Sequence, residues 1–234
     1  QELIFLGYDN VIDGQVLTNN IIGIDSLTLD YGNINSLIGI EDFMSLTILR
    51  CRDNYLTSLD VSQNTSLTTL VCNRNQLTSL VVNGANSLKE LSFMGNQLTT
   101  LDVSQNTQLV DIQGSYNQLT TLDVSNNTAL TYLGCNNNQL TTLDVSQNTQ
   151  LVDIQVGYNQ LTTLDVSNIT ALTTLTCTSN QLTNLDVSNN TALTYLNCQL
   201  NQLTTLDVSQ NTLLLKVYLN ANQLSSLDVS QNSS

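Results

Sequence analysis

The chain has 234 residues, of which 19 are acidic and only 5 basic, for a formal net charge of −14. Such a balance repels nucleic acid and anionic membrane surfaces, and no stretch approaches the ~18 apolar residues of a membrane span, so membrane insertion is not expected. His, Pro and Trp are absent, which removes the commonest general base and metal ligand; with no Gly-rich phosphate loop either, no cofactor is expected.

In chain order, Gln1 to Leu6 reads as the end of a helix, with Gly7 as its left-handed stop. The chain is therefore expected to be a fragment or processed form, opening within a helix and stopping at Ser234 partway through a coil. Residues 1–45 form an N-terminal cap and a first divergent repeat, and residues 46–234 a run of about nine coils. Leu56, Leu77, Leu98, Leu119, Leu140, Leu161, Leu182, Leu203 and Leu224 stand 21 residues apart. Each follows an Asn two places earlier, from Asn54 to Asn222. A fixed period of this size signals a stacked solenoid, in which each coil contacts only its neighbours and one core grows without splitting.

The unit from Leu67 to Ser87 reads LTTLVCNRNQLTSLVVNGANS. Alternation around Leu70 and Cys72 predicts a short strand. Asn75 then turns the chain, its amide able to bond backbone groups in its own and adjacent turns. The second half, LTTLDVSQNT in later coils, is too short and too rich in Thr, Val and Asp for a helix. It is expected to be a brief extended segment or 3₁₀ turn on the outer side.

The phrase L-x-x-L-x-L-x-x-N-x-L resembles the leucine-rich repeat signature. Gly14 to Leu56 further resembles the cap and first repeat of bacterial internalin-type surface proteins, through Ile34, Leu37, Gly39, Ile40, Glu41, Phe43 and Leu46. The resemblance implies a right-handed solenoid of the α/β-horseshoe class, mostly β. It would carry a parallel sheet on the concave face, short extended or 3₁₀ segments on the convex face and a small helical cap. It also implies a secreted or cell-surface bacterial protein that binds a partner. Within these 234 residues, neither the immunoglobulin-like C-terminal cap common in internalins nor an anchoring motif is expected.

Three files of equivalent residues stand out. Cys51, Cys72, Cys135, Cys177 and Cys198 share one slot with Phe93, Val156 and Leu219. Hydrophobes there argue for buried free thiols, since parallel in-register side chains disfavour disulfide torsions; some internalin repeats carry a similar ladder. Gly114 breaks this file and is expected to leave a gap beside Cys135. Asp60, Asp102, Asp123, Asp144, Asp165, Asp186, Asp207 and Asp228 form a second file that could bind Ca²⁺ or bond the backbone near the Ser two residues on. Thr57, Thr78, Thr99, Thr120, Thr141, Thr162, Thr183 and Thr204 form a third, which could order water against ice or simply tolerate a half-exposed extended backbone.

The residues between the core positions of the strand vary while the rest of the coil is monotonous. Five of the eight tyrosines and four of the five basic residues fall on or just beyond these positions. Tyr and Arg anchor interfaces, so the candidate ligand-binding residues are Arg50, Arg52, Arg74, Tyr116, Tyr132, Asp153, Tyr158, Tyr195 and Tyr218. Asp111 and Asp153 sit two coils apart, roughly 10 Å by strand spacing, near the separation of an inverting glycosidase pair. An open sheet, however, is expected to offer no pocket that would raise one pKa, so no enzyme activity is expected. The sequence points to a non-catalytic module recognising a protein or glycan. The alternatives are a carbohydrate-targeting region of a larger secreted enzyme, or an ice or mineral binder using the Thr and Asp files.

Overall fold

The structure, a computed structural model, describes Gly7 and residues 18–232. The expected helix end at Gln1–Leu6 lies outside the described residues; Gly7 itself has φ 81°. A single helical turn, α1 (Thr18–Ile21), leads into β1 (Ser26–Thr28), and a 3₁₀ turn at Ile40–Asp42 follows. The next strands are β2 (Ile48–Arg50), β3 (Ser58–Asp60), β4 (Thr69–Val71), β5 (Ser79–Val81), β6 (Glu90–Ser92) and β7 (Asp111–Gln113). Then come β8 (Tyr132–Gly134), β9 (Asp153–Gln155), β10 (Thr174–Thr176), β11 (Tyr195–Asn197) and β12 (Lys216–Tyr218). All but β3 and β5 stack into one ten-stranded parallel sheet. From β2 onward its register equals the sequence period, as in Tyr132↔Asp153 and Thr174↔Tyr195. β1 pairs with β2 at an offset of 22, Ser26↔Ile48.

Each strand is three residues long because the coil must turn again at once. The middle residue points inward, and Leu49, Leu70, Leu91, Ile112, Leu133, Ile154, Leu175 and Leu196 are fully or almost fully buried. The turn is made by a residue in the left-handed region: Asp53, Arg74, Gly95, Tyr116, Asn137, Tyr158, Ser179, Leu200 and Ala221 all have φ between 52° and 68°. The following Asn locks it. The Asn138 Nδ2 donates to the carbonyls of Gly114 (3.0 Å) and Cys135 (3.1 Å), and its Oδ1 accepts from Leu119 N–H (3.0 Å). Asn75, Asn96, Asn117, Asn159, Asn180 and Asn201 repeat the pattern, so each buried amide satisfies backbone groups of its own coil and the one before.

A second buried Asn file crosses the opposite wall. Asn127 Nδ2 donates to Val103 O (3.0 Å) and Asn106 O (2.9 Å). Ala85 and Ile169 hold two places in this file, both fully buried. The outer segment is extended, as expected, but only β3 and β5 are regular enough to pair as a two-stranded sheet. Elsewhere the coils are tied by single backbone bonds such as Gln139 N–H to Leu119 O (2.9 Å).

The five thiols are buried and free. Burial pushes Cys51, Cys135 and Cys198 up to about 12 and raises Cys72 and Cys177 well above the ordinary thiol range. They are therefore protonated, unreactive core side chains. The gap expected at Gly114 does not exist. A Cβ at Gly114 would collide with the Phe93 ring and stand 2.7 Å from its Cε2. The large side chain one coil earlier fills the space that the glycine leaves, which keeps the core at close-packed density.

The Asp file takes the backbone role. Asp60, Asp102, Asp123, Asp144, Asp165, Asp186, Asp207 and Asp228 each accept the N–H of the Ser two residues on, at 2.8–2.9 Å. These bonds hold Asp102 and its successors below the ordinary carboxylate range. Among the described residues no group of three or more His, Cys, Asp or Glu could hold a metal ion.

Candidate functional site

Side chains flanking each inward residue project from the ten-stranded sheet, and the left-handed turn residues project from its rim. The register stacks them in vertical files. One runs Ile48, Thr69, Glu90, Asp111, Tyr132, Asp153, Thr174, Tyr195, Lys216; the next runs Arg50, Val71, Ser92, Gln113, Gly134, Gln155, Thr176, Asn197, Tyr218. The nine candidate residues do not form one cluster. They fall into three groups, with Arg50 and Tyr158 standing apart.

The first group is Arg52, Arg74 and Tyr116, which line a cavity of about 330 Å³ together with Tyr31, Asn73 and Met94. Arg50, expected to share an island with them, does not line it. Arg52 is not a loose surface cation. Its Nε donates to Asp30 Oδ2 (2.8 Å), its backbone N–H to Asp30 Oδ1 (2.9 Å), and its guanidinium lies 5.5 Å from the Tyr31 ring centroid. Arg74 is freer, 76% exposed and 3.8 Å from Asp53. Tyr31 and Asp30 escaped the sequence reading because the first coil is one residue longer than the others; counting back 22 from Asp53 finds Tyr31 in the same left-handed file.

The second group is Tyr132 and Asp153, joined by Asp111. Tyr132 stands between the two carboxylates on the intervening strand. Its ring lies over Gly134, where an added Cβ would come within 2.9 Å of the ring and hydroxyl. Gln113 and Gln155 donate to Asp111 Oδ2 (3.0 Å) and Asp153 Oδ2 (3.3 Å), while both Oδ1 atoms are buried with no partner. Partial burial raises both carboxyls above the ordinary range, and burial first, then Asp153 and Asp111, raises the Tyr132 phenol. The expectation that an open sheet cannot raise a carboxyl pKa is thus overturned: partial burial outweighs the glutamine hydrogen bonds, which act in the opposite direction. The two shifts have the same sign and the same leading cause, so the pair is not divided into a strong acid and a base. Because the folded state binds these protons more tightly than the unfolded chain, keeping both ionised at neutral pH costs stability.

The third group is Tyr195 and Tyr218, whose rings pack at 5.7 Å and 47°. Tyr158 stands on the rim, 54% exposed, between Asn137 and Ser179 of its file.

No protein-family profile matches the chain, and no curated protein sequence does. Solved structures do. The functional domain of InlJ from Listeria monocytogenes, described as including a cysteine ladder, is 42% identical with a TM-score of 0.91, over 93% of this chain and 49% of that one. A leucine-rich repeat protein of Leptospira interrogans is 28% identical with a TM-score of 0.76, over 82% of this chain and 53% of that one. The internalin InlF of Listeria monocytogenes shares the fold, with 22% identity and a TM-score of 0.59 over 95% of this chain and 82% of that one. The chain thus spans about half the length of the first two. It is a leucine-rich-repeat solenoid of 21-residue turns, similar in fold to internalin-type proteins and in its file of buried cysteines to InlJ.

Proposed function

We propose that the chain is a non-catalytic recognition module of a secreted or cell-surface bacterial protein, binding a protein or glycan with its concave sheet and the rim beside it. One observation carries this reading: exposed Arg and Tyr side chains are held in the left-handed rim file that borders that face. Tyr116 and Tyr158 are 60% and 54% exposed and sit in the left-handed region, which disfavours bulky residues and costs roughly 1–2 kcal/mol each. Gly95 and Ser179 show that the same turn accepts small residues. Asp111 and Asp153 are likewise kept where their charge is disfavoured. On the outer wall the Asp and Asn side chains close turns and tie neighbouring coils, and the buried Oδ1 atoms of that Asn file, Asn127 among them, also lack a partner. Similarity to internalin-type structures supports the same reading.

The test is a glycan array and a panel of extracellular proteins probed with the wild-type chain and with a Tyr116→Ser/Tyr158→Ser variant. The variant should lose capture of any partner by at least tenfold while unfolding at nearly the same temperature. Undiminished capture by the variant would contradict the rim assignment.

A further inference from the structure

We infer that the cavity between Tyr31, Arg52, Arg74 and Tyr116 is a subsite for a single carboxylate-bearing sugar ring, a uronic acid unit of a glycan. This assignment rests on the recognition reading and deepens it.

The donors come first. Arg52 is fixed edge-on by Asp30 and face-on by Tyr31, so its guanidinium plane is set before any ligand arrives. Only its Nε edge is used, which leaves the two Nη groups without a partner among the described residues. The Arg74 guanidinium has a distant counter-ion at 3.8 Å and is mostly in water. A planar, pre-oriented guanidinium beside a mobile one suits a carboxylate, which accepts two parallel N–H bonds. Asn73 turns its Oδ1 to Met94 N–H (2.7 Å) and Ser92 Oγ (2.9 Å), so its Nδ2 remains to donate to a hydroxyl. Asp53 lines the same cavity and offers an acceptor for another.

The walls come next. Tyr116 is 60% exposed and offers an aromatic ring against which the C–H side of a sugar can pack, while the Tyr31 face holds Arg52. Gly95 stands in the left-handed file between Arg74 and Tyr116, and a Cβ there would already be 3.4 Å from Arg74 Cγ. The missing side chain opens the notch. Its volume of about 330 Å³ is at the small end of ligand sites, a match for one sugar unit with its solvent.

The surroundings exclude other anions. Glu90, Asp111 and Asp153 lie on the same sheet face in a chain of net charge −14. A polysulfate or nucleic acid would be repelled beyond the notch, so the ligand carries one local charge on a neutral body. A peptide main chain has nothing to grip, because β2, β4 and β6 are each paired on both sides and leave no free strand edge.

Calorimetric titration with methyl galacturonide, methyl galactoside and N-acetylglutamate amide tests the assignment. The uronide should bind at least tenfold more tightly than the neutral galactoside and the glutamate derivative. Arg74→Gln, an exposed change, should abolish that preference, and Arg74→Lys should keep part of it. Equal binding of all three probes, a preference for the glutamate derivative, or an unchanged preference in Arg74→Gln would overturn the subsite. If the uronide shows no binding while panel capture by the wild-type chain persists, the uronate assignment alone falls; if capture is absent as well, the recognition reading falls with it.

Discussion

Phe93→Ala should destabilise the protein by about 3–5 kcal/mol, the usual cost of deleting a buried aromatic ring. Gly114→Ala should cost about 1–3 kcal/mol by overpacking. Combined with Phe93→Leu, the Gly114→Ala change should cost less than it does alone. The reason is one shared volume. Phe93 is fully buried, and its ring occupies the space beside Gly114 that cysteines, Val156 and Leu219 fill in other coils. A shorter side chain at 93 leaves room for a methyl at 114, so the pair couples as contacting residues do. Urea unfolding of the two single variants and the double variant measures the coupling. Strict additivity would show that the ring and the glycine do not share space.

Asn138→Ala should cost about 2–4 kcal/mol, because it strands the buried Leu119 N–H and removes one of two amide donors from each of two carbonyls. Those carbonyls, Gly114 O and Cys135 O, also accept from Asn117 (3.2 Å) and Asn159 (3.0 Å), so the file shares its acceptors from coil to coil. Removing one amide therefore weakens the interface with the preceding coil in a quasi-one-dimensional stack. Gln139→Ala, one residue away and exposed, should change stability by less than about 0.5 kcal/mol. A loss at Asn138 as small as that at Gln139 would mean that the amide file is dispensable.

Much of this was legible in the sequence because the repeat is an ordering device. Once Leu56 and Leu224 belong to one file, inward and outward positions follow, and the thiols fall in the core with Phe93 and Val156, the partly buried Leu219 packing against it. What escaped was side-chain volume crossing between coils. A position-by-position reading leaves a hole at Gly114, whereas the structure fills it from a neighbouring coil. The same blindness hid the partial burial of Asp111 and Asp153. The grouping of Arg52 with Tyr31 was hidden by the single extra residue of the first coil. Arg50, two residues from Arg52, was drawn into the same island only because the sequence does not show which of them turns toward the notch.

Repainting the concave face with the chain's own plainest coil tests the division between scaffold and recognition surface most directly. Thr174 and Ser179 already occupy, in one coil, the files held elsewhere by Tyr132, Asp153 and Tyr195 and by Arg74, Tyr116 and Tyr158. A chain carrying Tyr132→Thr, Asp153→Thr, Tyr195→Thr, Arg74→Ser, Tyr116→Ser and Tyr158→Ser should unfold at a similar temperature and lose its partner by at least a hundredfold. Retention of the wild-type affinity by that repainted chain would contradict the account.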